Sequence, residues 1–261
     1  MKLTIEQCLE AGKNGVMIEN DHYHALAGIS GSKLSLLSES NRHLDNAKNF
    51  DMGSQDYFSL GTCVHEMVLE KHKSSFMVMP KFNGRTNEGK EDKAYWLKQN
   101  ADKQIIEAED YEKAERMAKN VNAICGDVIE NSICERSLFA HWEQNIIIKC
   151  RIDAQHWNDD YDLKTITPKS GMSDWELFKH SEKHGYFTSA ALRQMVRHTL
   201  GMPIGDSYLI FVSTSPGHMV KIRKIPDSIL ERENEKVTEL LTSRAFYLRH
   251  GIDTDVKELY N

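Results

Sequence analysis

Proline is scarce, five in 261 residues, and no Pro- or Gly-rich tract or internal repeat interrupts the chain. Nothing therefore marks a linker that would force a domain boundary. The sequence also lacks any C-x-x-C pair. Its five cysteines (Cys8, Cys63, Cys125, Cys134 and Cys150) are odd in number and scattered. That argues against a disulfide framework and against a cysteine-built zinc or iron–sulfur site, and leaves buried reduced thiols. No window approaches the run of about 18 apolar residues that a membrane helix needs. The opening "MKLTIEQCLEAGKNG" has no apolar block of the signal-peptide kind, so the expected location is the cytoplasm. Positive charge is not in excess either, since 33 Lys and Arg face 39 Asp and Glu for a formal net charge of −6. Nucleic-acid binding would then need basic groups gathered along one groove or channel.

The composition is otherwise that of an ordinary globular protein, 40% hydrophobic and 28% charged. We read one domain over 1–261, with a helical part to about 130, core strands and helices to about 225, and a closing helix beyond. In "HYHALAGISGSKLSLLSES" a turn leads into a short helix with Ser30 or Ser32 as its N-cap. A helix is predicted from about Leu60 to His72 on the stripe Leu60, Val64, Met67 and Val68. A second covers Glu107 to Glu130, with Ala108, Tyr111, Ala114, Met117, Ala118, Val121 and Ile124 at helical spacing. The first half of Pro80–Asn100 reads as an exposed loop. Strand-like text follows in "FAHWEQNIIIKCRIDAQ", "YDLKTI", "SYLIFVSTS" and "HMVKIRKI". A helical block from Ser173 to Leu200 opens on a Ser173/Glu176 capping box and closes at Gly201, and a last helix runs from about Pro226 to Arg249. The fold class is mixed α/β (α+β), a central sheet flanked by helices.

The stretch "KCRIDAQHWNDDYDLKTI" carries the chemistry. "HWNDDY" supplies the turn of a hairpin, and a reversal near Asn158 sets Asp153 across from Asp162 to Lys164. Asp162 and Lys164 share one strand face, so two carboxylates and an ammonium converge. Nearby carboxylates resist ionising together unless a cation joins them, and a hard divalent ion accepts such oxygen ligands. It would polarise a phosphoryl oxygen and activate a water, with Lys164 stabilising the growing charge. The pattern [D/E]-x-K occurs four times, at Glu88/Lys90, Glu91/Lys93, Asp162/Lys164 and Asp255/Lys257. Only Asp162/Lys164 combines strand context with an acid across a turn. A surface hairpin with a solvated Asp–Lys pair fits the same spacing.

In its ordered segments the chain resembles the RecE-type exonucleases of the PD-(D/E)XK nuclease superfamily. "LGTCVHEMVLE" looks like their G-T-x-x-H helix, "RTNEGKEDKAYW" like a charged segment, and "CERSLFAHWEQNIIIKCRIDAQHWNDDYDLKTI" like the acid, R-x-D and D-[LV]-K-T core. The likeness spans about Tyr23 to Pro216. The resemblance implies a PD-(D/E)XK core in which His65, Asp153, Asp162 and the carbonyl of Leu163 bind Mg²⁺ (Mn²⁺ as a substitute) and Lys164 is catalytic, with Glu135 a secondary acid. Gly61, one turn before His65, leaves space beside the ring. The family helix with a glutamine and, four residues on, a tyrosine is matched ambiguously. Anchoring on Tyr186 puts Ser189 and Arg193 in those places, while anchoring on Gly201 puts Gln194 and His198 there. We take Gln194, which keeps the amide, and an ordinary amphipathic helix fits as well.

The activity implied is Mg²⁺-dependent exonuclease digestion of linear double-stranded DNA, 5′-to-3′, leaving 3′ single strands for recombination. A ring-shaped trimer or tetramer, a single-strand annealing protein as partner, and a bacterial host cytoplasm for a phage-encoded chain follow from the same resemblance. Lys33, Lys81, Arg85, Lys90, Arg193 and Arg197 are the candidate DNA contacts, Arg85 first among them. Two rivals stay open: a structure-specific or restriction-type endonuclease on the same core, and a DNA-end-binding module without activity.

Overall fold

The structure, a computed structural model, describes residues 2–46, 60–73, 75–101, 103–143, 146–168 and 171–253. The Asp255/Lys257 pair lies outside them. Four short helices come first: α1 (Ile5–Glu10), α2 (Asn20–Ala25), α3 (Gly31–Glu39) and α4 (Asn41–Asn46). Then follow α5 (Leu60–Leu69), β1 (Phe76–Met79), α6 (Asn87–Gln99), β2 (Gln104–Glu107) and α7 (Ala108–Glu130). The strands β3 (Ile133–Glu143), β4 (Ile146–His156) and β5 (Asp159–Ile166) form a meander. Helices α8 (Asp174–Lys183) and α9 (Tyr186–Thr199) cross over to β6 (Ser207–Ser213), β7 (Val220–Lys224) and α10 (Asp227–His250). The main sheet has the order β3-β4-β5-β6-β7, antiparallel except for the parallel β5–β6 pair, and β1 pairs with β2 in a small parallel sheet.

The expected elements are present, with local corrections. Thr86 caps α6 by accepting from the Gly89 N–H, so the exposed loop ends at residue 86 and helix replaces the rest of the charged stretch. The helix predicted to His72 stops at Leu69. On α7 the buried stripe runs Ala114, Met117, Ala118, Val121 and Cys125, and Ile124 faces outward at 56% exposure. The block Ser173–Leu200 is two helices, because Gly185 adopts a left-handed φ of 67° between them. Gly201 does end α9. Its N–H donates to the His198 carbonyl, and that of Met202 to the Arg197 carbonyl.

Helices cover both sheet faces. α5 and α7 pack Val64, Val68, Met117 and Val121 against Leu163, Ile210 and Val212. On the other face α3, α9 and α10 pack Leu34, Leu192, Val196 and Leu241 against Leu138, Ile148 and Ile152. Side chains alternate along a strand, so residues two apart should share a face. Cys134 and Leu138 nevertheless join opposite clusters, as do Ala154 and Ile152. The faces exchange at Glu135, whose φ of 58° is left-handed, and at Asp153, which lies between paired neighbours opposite it.

At the same point the sheet opens. The β4–β5 ladder holds only Ala154↔Tyr161, Gln155↔Asp160 and His156↔Asp159. Beyond it β5 continues beside β6, while the freed edge of β4 pairs with the N-terminal segment. The Ile29 N–H donates to the Ile147 carbonyl, and the Lys149 N–H donates to the Ile29 carbonyl. Lys149, buried to 1% exposure, fixes that segment by donating to the carbonyls of Tyr23 at 2.6 Å and Leu26 at 2.7 Å. Its ammonium also sits 4.5 Å from the centre of the Tyr23 ring. Lys149→Met keeps the stem and removes the donors, so it should cost about 1–3 kcal/mol. Hydrogen exchange should speed up at residues 23–29. Unchanged denaturant stability together with unchanged exchange would show that this anchor is dispensable.

Candidate metal centre and its cavity

The opening between β4 and β5 is lined by chemistry. Asp153 Oδ2 accepts the Leu163 N–H at 2.8 Å, taking the place of a backbone acceptor where the ladder stops. The same oxygen lies 3.1 Å from His65 Nε2, and His65 Nδ1 lies 3.5 Å from Glu135 Oε1. One donor atom each from His65, Glu135 and Asp153 falls within a span of 4.8 Å. α5 brings the histidine, pressed to the sheet through Val64 and Val68, and β3 and β4 bring the two acids. The left-handed backbone at Glu135 is a conformation that non-glycine residues rarely hold, at a cost of about 1–3 kcal/mol.

These residues fit a divalent cation. Glu135 Oε2 is taken by Arg151 Nε, while Oε1 is buried with no hydrogen bond and only the His65 ring 3.5 Å away, a lone pair left for a cation once that imidazole is neutral. Oxygen ligands of such ions stand about 2.0–2.6 Å from the metal, a reach compatible with the donor span. Burial alone would lower the His65 imidazolium pKa. The charge and hydrogen bond of Asp153, joined by Glu135, outweigh it and raise the value to about 9. Asp153 is held well below the usual carboxylate range, because His65 overcomes the effect of burial. Burial pushes Glu135 up to about 7.

Asp162 lies beside this trio rather than within it. Its Oδ1 faces Lys164 Nζ at 2.5 Å, and its Oδ2 faces Arg193 Nη1 at 3.2 Å. Burial opposes the Lys164 charge, yet Asp162 and Asp153 hold the ammonium above its ordinary pKa. Its Nζ stands 5.1 Å from the centre of the Tyr186 ring. His65, Glu135, Asp153, Asp162, Leu163, Lys164, Tyr186 and Arg193 all line one cavity of about 650 Å³.

Other expected positions lie elsewhere. Gln194 is not among the cavity-lining residues; it reaches Asn234 at 3.4 Å and Ser207 at 3.5 Å on the far side of α9. One helical position turns a side chain through about 100°, so the neighbouring Arg193 and the Ser189 one turn before it face the cavity instead. The cavity wall thus holds the Ser189 and Arg193 of the Tyr186 anchor and not the Gln194 and His198 of the Gly201 anchor. Arg193 and Arg197 do not form an outward basic face either. They are 6% and 0% exposed and enter ion pairs with Asp160, which is itself fully buried. Lys33 donates to the Gly28 carbonyl at 3.0 Å, near but outside the cavity lining. Lys81, Arg85 and Lys90 are exposed and also outside it. Sequence reading missed Arg151 and Asp160 and underweighted Glu135. Glu135 was signalled only by the family resemblance and lies within β3, whereas only the folded chain pairs Asp160 with Arg193.

No family model and no curated protein sequence matches the chain. Among solved structures, that of a "putative exonuclease" from Eubacterium rectale superposes with a TM-score of 0.59 at 13% identity. The match covers 92% of this chain and 90% of that one, and shows a shared fold. The structure of SSO0001 aligns over 70% of this chain and 87% of that one at 12% identity, with a TM-score of 0.30 that carries no argument. Among the described residues no helix is long and apolar enough to cross a membrane.

The pKa directions would set the pH dependence of any cation binding here. A ligand must be deprotonated, so His65, protonated below about 9, and Glu135, protonated below about 7, both compete with the metal. Affinity for Mn²⁺ or Mg²⁺ should therefore rise between pH 6 and 9, and binding near pH 7.5 should release about one proton. Calorimetry in buffers of different ionisation enthalpy measures this directly. A pH-independent affinity, or His65→Ala binding as tightly as the parent, would remove His65 from the ligand set.

Proposed function

We propose that the protein is a metal-dependent deoxyribonuclease hydrolysing phosphodiesters in this cavity. The observation that carries the reading is the meeting of His65, Glu135 and Asp153 as cation donors with the Asp162–Lys164 pair beside them. The resemblance to RecE-type exonucleases and the fold shared with the "putative exonuclease" from Eubacterium rectale support it.

Each side chain then has a task. A cation bound to His65, Glu135 and Asp153, Mg²⁺ or in its place Mn²⁺, would supply an electrophile for a phosphoryl oxygen and a more acidic water. Lys164 is kept protonated by Asp162 and Asp153, which suits it to stabilise charge growing on the phosphate and not to take a proton. Asp162 holds the ammonium with one oxygen while Arg193 fixes the other. Tyr186 lies against the ammonium and limits where it can swing.

The finer reading is an exonuclease acting on linear double-stranded DNA ends, 5′-to-3′, and leaving 3′ single strands for a single-strand annealing partner. A ring of three or four subunits around the duplex, in a bacterial host cytoplasm, completes it. The test follows linear 5′-phosphorylated duplex and closed circular DNA with Mg²⁺ or EDTA. Loss of the linear form alone, only with Mg²⁺, is the expected result. Asp162→Ala should abolish it, and Lys164→Met should slow it about 10²- to 10³-fold, the scale of losing one charge-stabilising donor. Cleavage of circles would replace the exonuclease with an endonuclease. End binding with no cleavage under any divalent metal would replace the enzyme with a binding module.

A further inference from the structure

A second cavity, of about 670 Å³, lies between α7 and the loop that joins β6 to β7. It shares no lining residue with the cavity of the cation donors. Lys113, Arg116 and Lys119 of α7 line one side, and Thr214, Gly217 and His218 of the loop line the other. No acid is among the lining residues. In a chain of net charge −6 this is a gathering of basic groups along one groove, the arrangement that nucleic-acid binding needs. None of the basic residues expected from the sequence to touch DNA lines it.

These cations are poorly matched within the protein. Lys113 is half-buried, and among the described residues neither it nor Lys119 enters an ion pair. Arg116 meets Glu112 at 3.9 Å, but both side chains are mostly in solvent, where such a pair contributes little. The facing loop is fixed. Asn120 Nδ2 donates to the carbonyls of Gly217 at 3.1 Å and His218 at 3.0 Å. His218 is 9% exposed, and its ring Nδ1 donates to the Ser213 carbonyl at 3.1 Å. Its φ of 42° is left-handed, as is that of Glu135 in the cation cluster. Non-glycine residues seldom hold that conformation, and they gather at functional sites.

The two cavities are joined along the ends of the same strands. Thr165 of β5 lines the first, and Thr214 lines the second. Between them the hydroxyl of Thr167, just beyond β5, meets that of Thr214 at 2.9 Å. A polyanion that leaves the first cavity past the end of β5 therefore arrives at the second. At 1.5 Å per residue, Lys113 to Lys119 covers about 9 Å of helix axis. Each strand of duplex DNA carries a charge about every 3.4 Å of axis, so the three cations match two or three phosphates.

We propose that the cleft between α7 and the β6–β7 loop is a second nucleic-acid contact, which grips backbone phosphates outside the cavity in which the bond is cut. Its assignment to nucleic acid rests on the nuclease reading above. The contact is with the backbone and not the bases, because the lining offers cations, an amide and a hydroxyl but no Phe, Tyr or Trp ring for a base to stack on. It is therefore independent of base sequence.

The test titrates the full chain in EDTA against fluorescent duplex and single-stranded oligonucleotides, read by anisotropy at several salt concentrations. Lys113→Gln and Lys119→Gln are combined in one variant, and its melting curve shows that the fold is kept. Affinity should fall about tenfold or more. The slope of log affinity against log salt should flatten by about 1.8 for the duplex, two phosphate contacts at about 0.9 each. Glu112→Gln frees Arg116 and should strengthen binding about two- to fivefold, the range of an exposed pair. Unchanged affinity and salt slope with both nucleic acids would overturn the contact. If polyglutamate loses affinity in the double variant while neither nucleic acid does, the cleft belongs to an acidic polypeptide and the proposal fails.

Binding in EDTA requires no hydrolysis, so the two readings can fail separately. Weakened binding by the double variant of a protein that cuts no DNA would keep the contact and remove the nuclease. Cleavage by a protein whose binding the variants leave unchanged would do the reverse. The two nucleic acids distinguish the source of the phosphates. Weakening with the duplex alone assigns uncut substrate to the cleft, and weakening with the single strand alone assigns the strand left by digestion.

Discussion

One hydrogen bond sets the geometry on which the rest depends, the Leu163 N–H donated to the Asp153 carboxylate. In a continuous ladder that N–H would pair with a backbone carbonyl, and the two strands would stay closed. A side chain acting as the acceptor lets β4 and β5 part after three residue pairs while the Leu163 N–H keeps a partner. The wedge thus formed is the cavity. The acid that opens the sheet is also the one that faces His65, so the His65, Glu135 and Asp153 cluster and the split in the sheet have a common origin.

Charge in the wedge is balanced by neighbours of opposite sign. Asp160 and Asp162 are buried, which is unfavourable for lone carboxylates, and Arg193, Arg197 and Lys164 compensate them. Glu135 is matched by Arg151. After this pairing a few polar atoms of each sign stay unmatched: one carboxylate oxygen on one hand, and guanidinium nitrogens in the same cavity wall on the other. A net charge of −6 for the chain says nothing about such a locality.

What was legible in the sequence was whatever depends on local period and turn chemistry. The helix at 108–130, the reversal at Asn158 and the convergence of Asp153 with Asp162 and Lys164 all follow from such patterns. What was not legible depends on contacts between distant segments. Gln194 kept the expected amide, but which face of α9 looks into the wedge is decided by the packing of Ala191, Leu192 and Val196 against the sheet. Arg193 and Arg197 read as a solvated basic face because their partner Asp160 lies more than thirty positions away in the chain. Glu135 read as a secondary acid because a left-handed residue within a strand leaves no compositional mark.

The pairing of Ile29 with the freed edge of β4 bears on the order of assembly. Ile29 and Ile148 are about 120 positions apart, a contact of high sequence separation and hence a late one on entropic grounds. The segment ending at Ile29 is synthesised before β4 yet finds its place only after β4 has been made. Until then the part of the cavity wall that holds Ser30 and Ser32 is missing, and the edge of β4 is open to pairing with any other strand. Completion of the cavity and protection of that edge are therefore the same event, and a nascent chain passes through a stage in which its cavity is unfinished and it is most exposed to misassembly.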